Sequence, residues 1–193
     1  MITSPRDRRA RALQASAAAL LCLCALALNV VAASAATRAV ATGGADSGDC
    51  IARPCKGFAY AYRQAVAGDV VEVAAGSYPE QSIPDIAGRA LPGVEFRPVA
   101  GASVQLGGIR VQGDAVTLRA MRLGYVWVDT TSGTTDDVTI DGGSGPGMYI
   151  GDGRNLLVRG GDYGSVAETP IITIGGGSGI TFDGVDFHDA TAP

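Results

Sequence analysis

Charged side chains recur at one position of a repeated pattern in the second half of the chain. Each lies three residues after the start of a short apolar segment, and the series is Arg97, Arg119, Asp141, Arg159 and Asp183. If these segments are stacked strands, the series forms one outward row, because aligned strands lie about 4.8 Å apart. Such a row could bind and turn over an acidic sugar polymer. The alternative is a ladder of surface ion pairs, each contributing about 0–1 kcal/mol to stability.

The pair Trp127 and Tyr149 is a second candidate. Trp127 is the only tryptophan of the chain, and the alternation of the surrounding residues places both aromatic side chains outward. Their predicted neighbours are Gln105 on one side and Thr173 on the other. Adjacent outward rings make a flat surface on which a sugar ring can stack, so the pair predicts substrate binding. The alternative is packing between neighbouring strands, which stabilises a sheet by about 0.2–1 kcal/mol.

Acidic side chains surround the only histidine, close to residue 193. The group consists of Asp183, Asp186, His188 and Asp189. Carboxylates beside an imidazole could perform general acid–base chemistry. Alternation does not place all four on one face, so the alternative is a set of ordinary acidic turn residues. Asp162 and Glu168 are weaker candidates, because they belong to a segment in which the repeat is longer than elsewhere.

Two series of apolar triplets predict the elements that would position these residues. The first begins at Val94, Val116, Val138, Leu156 and Ile180, at successive intervals of 22, 22, 18 and 24 residues. The second, ten residues after the first three of these, begins at Val104, Val126, Met148 and Ile172. A fixed period with two short strands per repeat is typical of a solenoid. We therefore predict an all-β solenoid of about six short coils, the first starting at Val71. A β-sandwich would explain the strands but not the interval.

A helix is predicted immediately before the repeats, over residues 58–66. Phe58, Ala61, Tyr62 and Ala65 give it one apolar face, and Gly68 suits its end. The sequence Gly-Asp-Val-Val-Glu-Val-Ala-Ala-Gly-Ser-Tyr then follows at residues 68–78. Together with the helix and a preceding Cys-containing segment, it resembles the N-terminal cap and first coil of secreted right-handed parallel β-helix proteins of the pectate-lyase-like superfamily. The resemblance covers about residues 43–193.

This resemblance implies a fold and a class of ligand rather than one reaction. The superfamily contains lyases, glycoside hydrolases, epimerases, esterases and proteins without known catalysis. In its lyases an Arg or Lys acts as base and Asp residues hold calcium, so the resemblance implies Arg119, Asp141, Arg159 and Asp183 as catalytic candidates. The resemblance leaves the binding of calcium open. No other cofactor is evident from the sequence, and no metal ligands are assigned. The hydrolases' set of Asn-x-Asp, Asp-Asp and Gly-His-Gly motifs is incomplete here.

Residues 1–36 have the layout of a secretory signal peptide. A basic start with four Arg precedes an apolar run over about residues 17–33, and Ala33, Ser34 and Ala35 form a small-residue cleavage site. The alternative is a retained membrane anchor.

Removal of this segment takes away four Arg and one Asp, so the formal charge changes from −4 to −7. Lys56 is then the only lysine and no basic cluster remains, which argues against nucleic acid as a partner. No later segment reaches membrane-spanning length.

Only Cys50 and Cys55 lie beyond the predicted signal peptide. In an exported chain this favours a disulfide between them; a metal site is the alternative, although the only histidine is far away in sequence. Residues 37–56 are therefore predicted as an extended arm containing the disulfide, and residues 57–193 as the parallel β-helix. The last predicted strands end about six residues before residue 193, so a C-terminal cap is not expected within this sequence.

These observations predict a secreted protein that binds or acts on extracellular polysaccharide, with no membrane association after cleavage. If it is an enzyme, the expected reaction is that of a polysaccharide lyase or glycoside hydrolase. The alternative is a non-catalytic surface or cell-wall structural protein, or a truncated remnant of a β-helix enzyme. The substrate, its linkage and the oligomeric state are left open by the sequence.

Overall fold

The computed structural model describes residues 35–129, 133, 135–164 and 171–189. Within these ranges the chain forms one short helix, α1 (Phe58–Gln64), and nineteen strands. The strands are β1 (Thr37–Val40), β2 (Val70–Val73), β3 (Gly76–Tyr78), β4 (Gln81–Ile83), β5 (Val94–Pro98), β6 (Val104–Leu106), β7 (Gly108–Val111), β8 (Val116–Arg119), β9 (Tyr125–Val128), β10 (Thr135–Asp136), β11 (Val138–Asp141), β12 (Ser144–Gly145), β13 (Met148–Ile150), β14 (Gly153–Arg154), β15 (Leu157–Arg159), β16 (Asp162–Gly164), β17 (Ile172–Ile174), β18 (Thr181–Asp183) and β19 (Asp186–His188).

The strands pair in parallel and the chain visits the same sheets in the same order again and again. Sheet A has the order β1-β2-β5-β8-β11-β15-β18, and sheet C has the order β17-β13-β9-β7-β4. Sheet B comprises the pair β3-β6 and the three strands β12-β16-β19, which single-residue bridges join through Arg122. After each sheet A strand from β2 to β15 the chain passes through sheet B and then sheet C. This arrangement is consistent with a parallel β-solenoid.

The predicted stacking of apolar residues in sheet A is confirmed. Phe96, Leu118, Ile140, Val158 and Phe182 are paired in register along five strands, and the first four are at most 1% exposed. The start of the first coil was placed two residues too late in this register, because the position that aligns with Val94 is Asp69. Val71 pairs with Phe96 and not with the column of Val94.

The prediction that the second series of triplets forms a single column is wrong. Gln105 lies in sheet B, where it pairs with Ser77 and Arg122. Trp127 lies in sheet C beside Arg110. The reason is that residues 99–103 lengthen the connection from β5 to β6, so that a strand of sheet B falls at the interval that later repeats use for sheet C.

Left-handed backbone corners on both sides of the sheet A strands explain the small and polar residues between them. The residues before these strands have φ between 52° and 65°, and they are Ala115, Asp137, Asn155 and Gly179. The residues after them have φ between 53° and 66°, and they are Ala120, Gly142, Gly160 and Gly184. Gly, Asn and Asp tolerate this conformation better than other residues. The turn chemistry of the repeat is therefore local and recurs at equal positions.

The helix covers the apolar interior at the N-terminal end of the sheets. Phe58 stacks on Phe96 with ring centroids 4.9 Å apart, and Phe58, Ala61 and Tyr62 are fully buried. The helix ends at Gln64, two residues earlier than predicted, and the guanidinium of Arg89 donates to the carbonyls of Tyr62 and Ala65 at that end. Carbonyl groups that the last helical turn leaves without partners are satisfied in this way.

The residues before the helix form a strand and a closed loop. β1 pairs with β2 at the edge of sheet A, so these four residues of the predicted arm belong to the sheet. The predicted Cys50–Cys55 disulfide is confirmed, with both half-cystines buried. Most of the predicted signal peptide, residues 1–34, lies outside the described residues. Within the part of the chain that the structure describes, none of the helices is long and apolar enough to cross a membrane.

Candidate functional site

The predicted row of Arg and Asp on sheet A exists and is held together by ion pairs. Arg97 contacts Glu72 at 3.2 Å, Arg119 contacts Asp141 at 2.8 Å, and Arg159 contacts Asp183 at 3.7 Å. Glu95 lies between the first two arginines, 3.5 and 3.4 Å from them. Each arginine of the row therefore forms an ion pair with a carboxylate on the same sheet. This geometry agrees with the ion-pair ladder that was the alternative to a catalytic row.

Trp127 and Tyr149 are neighbours in register, but their rings are held by different partners. The ring of Trp127 lies 4.9 Å from that of Tyr125, with 51° between the planes. The ring of Tyr149 lies close to Gly151, where an added Cβ would be 2.8 Å from its Cε1. The aromatic pair in contact is therefore Tyr125–Trp127. Its signal in the sequence is the spacing of two residues, which places both side chains on one face of a strand.

An arginine fixes the orientation of the Trp127 ring. The guanidinium of Arg110 lies 5.2 Å from the ring centroid, and Nη1 donates to both carboxylate oxygens of Asp129 at 2.8 Å. On the sheet itself, Gly108 leaves room for the indole, since an added Cβ would be 3.1 Å from Cζ3. Trp127 is thus half-buried and held by three neighbours.

A groove of about 670 Å³ follows the outer face of sheet B, and the sequence did not predict it. One row of the sheet is polar and passes in register through Ser77, Gln105, Arg122, Ser144, Asp162 and Asp186. A second row lies two residues after five members of the polar row. It consists of Gly107, Gly124, Pro146, Gly164 and His188. Because residues two apart share a face, the second row forms a low floor beside the polar one.

Arg122 provides a cation in the middle of this groove. Its side chain is exposed, and among the residues that the structure describes it has neither an ion pair nor a hydrogen bond, unlike Arg119 on the same repeat. A second hollow of about 470 Å³ adjoins the start of the polar row at Ser77 and is lined by Lys56, the only lysine. Two cations therefore face the N-terminal half of this surface.

The predicted cluster around His188 is only partly assembled. Nε2 of His188 lies 2.5 Å from Oδ1 of Asp162, and Nδ1 lies 2.9 Å from Oδ2 of Asp189. Asp186 aligns with Asp162 in the polar row, whereas Asp183 lies on sheet A with Arg159. The hydrogen bonds to Asp162 and then Asp189 raise the pKa of His188 to about 9. His188 is therefore protonated at neutral pH and forms the far end of the groove.

We expect the single imidazole to titrate near pH 9 in an NMR pH titration of the folded protein. The raised pKa means that any stabilisation by these pairs is complete below the ordinary value of 6.5 and is lost as the pH rises through about 9. Asp162→Asn should lower the pKa most, because its hydrogen bond is the main cause of the shift. Asp186→Asn is the matched control and should change it little. An imidazole that titrates near 6.5 in the unmodified chain would contradict the geometry.

Glu168, a weak candidate from sequence, lies outside the described residues. Across the described ranges, His, Cys, Asp and Glu side chains form no group of three or more that could hold a metal ion. No protein-family model matches the chain, and no curated protein and no solved structure is significantly similar to it.

Proposed function

We propose that this chain is an exported right-handed parallel β-helix protein of the pectate-lyase-like type that binds an acidic polysaccharide in the sheet B groove. The observation that carries the proposal is the unpaired cation of Arg122 in a long, polar and shallow groove. A groove that crosses successive strands suits an extended polymer better than a compact ligand. Its hydroxyl, amide and carboxylate groups match the hydrogen-bonding needs of sugars.

The cations of the groove favour an acidic ligand. A carboxylate that approaches Arg122 can form the bidentate pair typical of arginine, and no side chain within the described residues competes for that guanidinium. Lys56 adds a second cation beside Ser77, at the start of the same polar row. The protein carries net negative charge, so attraction has to come from these local groups and not from its overall field.

The aromatic pair supports a sugar ligand over other anions. Tyr125 directly follows Gly124 of the groove floor, and Trp127 packs over Gly108, which follows Gly107. The two rings therefore stand at the corner where sheet B passes into sheet C, beside the groove. An aromatic face at such a place can pack against the apolar face of a pyranose ring.

The proposal concerns binding, with turnover as a separate question. Four of the candidate carboxylates are engaged: Asp141 with Arg119, Asp183 with Arg159, and both Asp162 and Asp189 with His188. This engagement favours the non-catalytic alternative, in which the protein is a surface or cell-wall component that holds polysaccharide without cleaving it.

Substitution of Arg122 tests the groove directly. We expect Arg122→Gln to weaken binding of polygalacturonate oligomers about fivefold or more, which corresponds to about 1 kcal/mol for one exposed charge–charge contact. Isothermal titration calorimetry at fixed low salt measures the affinity, and Trp127 fluorescence reports a ligand near the groove corner. The loss should shrink at high salt, because exposed charges are screened.

Arg119→Gln is the matched control. It removes the same charge from the same repeat, but on the ion-paired row of sheet A. If Arg119→Gln weakens binding and Arg122→Gln does not, the ligand lies on sheet A, and the assignment of the binding site to the groove is wrong. If a folded protein binds none of a panel of acidic and neutral oligosaccharides, the whole proposal fails and the structural alternative stands.

A further inference from the structure

A buried carboxylate lies beside the backbone nitrogen of Ala36. The N–H of Ala36 donates to Oδ1 of Asp69 at 2.7 Å. Asp69 is only 1% exposed, and its other oxygen accepts from Nε of Arg38 at 2.8 Å and from the N–H of Val66 at 3.0 Å. Ala36 also accepts a hydrogen bond from the N–H of Val70 at 3.0 Å. Hydrogen bonds at both the N–H and the carbonyl of Ala36 therefore fix the position of this residue.

The same nitrogen belongs to the peptide bond that follows the predicted cleavage motif. Ala33, Ser34 and Ala35 have the small-residue pattern that precedes a signal-peptidase cut. Ala35 is exposed, whereas Ala36 is half-buried. Hydrolysis of the Ala35–Ala36 bond gives a carboxylate on Ala35 and an amine on Ala36, which takes up a proton at neutral pH. The new charge would arise where an opposite charge is already buried.

We propose that the chain is processed between Ala35 and Ala36, and that Asp69 binds the new α-ammonium of Ala36 as an ion pair. This inference does not depend on the proposed groove function. Water supplies the hydroxyl and the hydrogen of the cleavage, and a signal peptidase of the exporting cell catalyses it. The ion pair fastens the start of β1 to the residue that precedes β2, at the edge of sheet A.

A charged donor strengthens an existing contact and requires no new one. The present hydrogen bond already has an ionised acceptor, and the ammonium adds the Coulomb attraction between two opposite charges. Asp69 would then be shared by two cations, the ammonium and Arg38. Arg38 is partly balanced by the carbonyl of Asp49, to which Nη1 donates at 2.5 Å. Processing therefore tightens the N-terminal edge of the fold once the leader has been removed.

The first test is the mass of the product. We expect the full chain, expressed with export, to yield a mature protein of residues 36–193, identified by intact mass spectrometry and by its N-terminal peptide. A product that begins at any other residue overturns the proposal.

The second test isolates the charge. The exported protein is prepared with Lys56→Gln, which removes the only lysine, so that acetylation modifies the Ala36 amine alone. The acetyl amide keeps one N–H and mimics the uncut bond. We expect the free amine to give a melting temperature about 2–4 °C higher than the acetylated form at pH 6.

The pH dependence identifies the group responsible. A free α-amine has an ordinary pKa of about 7.7–8.0, and the partner raises it in the folded state. Its stabilisation is complete below the ordinary value and disappears as the pH rises through the raised one. The two melting temperatures should therefore converge in alkaline solution. Equal melting temperatures at pH 6, in a product that does begin at Ala36, would show that Asp69 does not hold the ammonium.

Discussion

Asp69→Asn should lower the free energy of unfolding by about 3–5 kcal/mol, the cost of breaking a buried ion pair from one side. The side chains of Arg38 and Asp69 are 9% and 0% exposed and lie 2.8 Å apart. The asparagine amide would turn donor hydrogens toward one of the donors that now bind the carboxylate, either Arg38 and the N–H of Val66 or the N–H of Ala36. Urea unfolding at neutral pH measures the loss, and domains of this size have only about 5–15 kcal/mol in total.

Acid should destabilise the unmodified protein through the same carboxylate. Burial acts to raise the pKa of Asp69, but hydrogen bonds from Ala36, Val66 and Arg38 and the charge of Arg38 outweigh it and lower the pKa below 3.8. A lowered pKa gives stabilisation that is complete above the ordinary value and is lost as the pH falls through the folded one. The difference between wild type and Asp69→Asn should therefore narrow in strong acid.

Asp141→Asn is the matched control for this prediction. Asp141 also pairs with an arginine at 2.8 Å, but on the outer face of sheet A, where Arg119 is 46% exposed. Its loss should cost less than about 1 kcal/mol, since exposed pairs are weak. Equal effects of the two substitutions would mean that burial of the Arg38–Asp69 pair does not matter. Arg38→Met combined with Asp69→Asn should recover part of the loss, because neither charge is then left alone.

Sheet A was predictable because three successive strands begin at equal intervals of 22 residues and the apolar residues of its strands alternate strictly. Val116 and Val138 follow Val94 at equal intervals, and the register between their strands is the one that the interval implies. The row from Arg97 to Asp183 was placed correctly for the same reason. Where the connections vary in length, as between β5 and β6, spacing alone assigned Gln105 to the wrong sheet. The interval between strands assigns residues to one column only when the connections that precede those strands have the same length.

The groove was not predictable from the types of residue that usually indicate chemistry. Its floor depends on missing side chains at Gly107, Gly124 and Gly164, and sheet B contains only one to three residues per repeat. Arg122 belongs to it through isolated bridges and not through a strand. A weak signal does exist: a polar residue stands two positions before a glycine or proline at Gln105, Arg122, Ser144 and Asp162. That pattern needs the three-dimensional register before it can be interpreted.

Gly124→Ala should destabilise the protein by about 3 kcal/mol, at the upper end of what overpacking costs. A Cβ on Gly124 would lie 2.1 Å from the carbonyl oxygen of Gly107 and 2.4 Å from its carbon. These are backbone atoms of the neighbouring repeat, which cannot rotate away as a side chain can. The two repeats must separate locally, although strand pairing holds them about 4.8 Å apart. Thermal and urea unfolding measure the loss.

Two other glycines separate this steric effect from backbone strain. An added Cβ at Gly142 or Gly43 meets nothing within 4 Å, but Gly142 has φ of +66°. Gly142→Ala should therefore cost about 1–2 kcal/mol from conformation alone, and Gly43→Ala close to nothing. If Gly124→Ala costs no more than Gly142→Ala, the repeats are not packed backbone to backbone at the groove floor. A loss of polysaccharide affinity in a Gly124→Ala protein that remains folded would further link this floor to the proposed ligand.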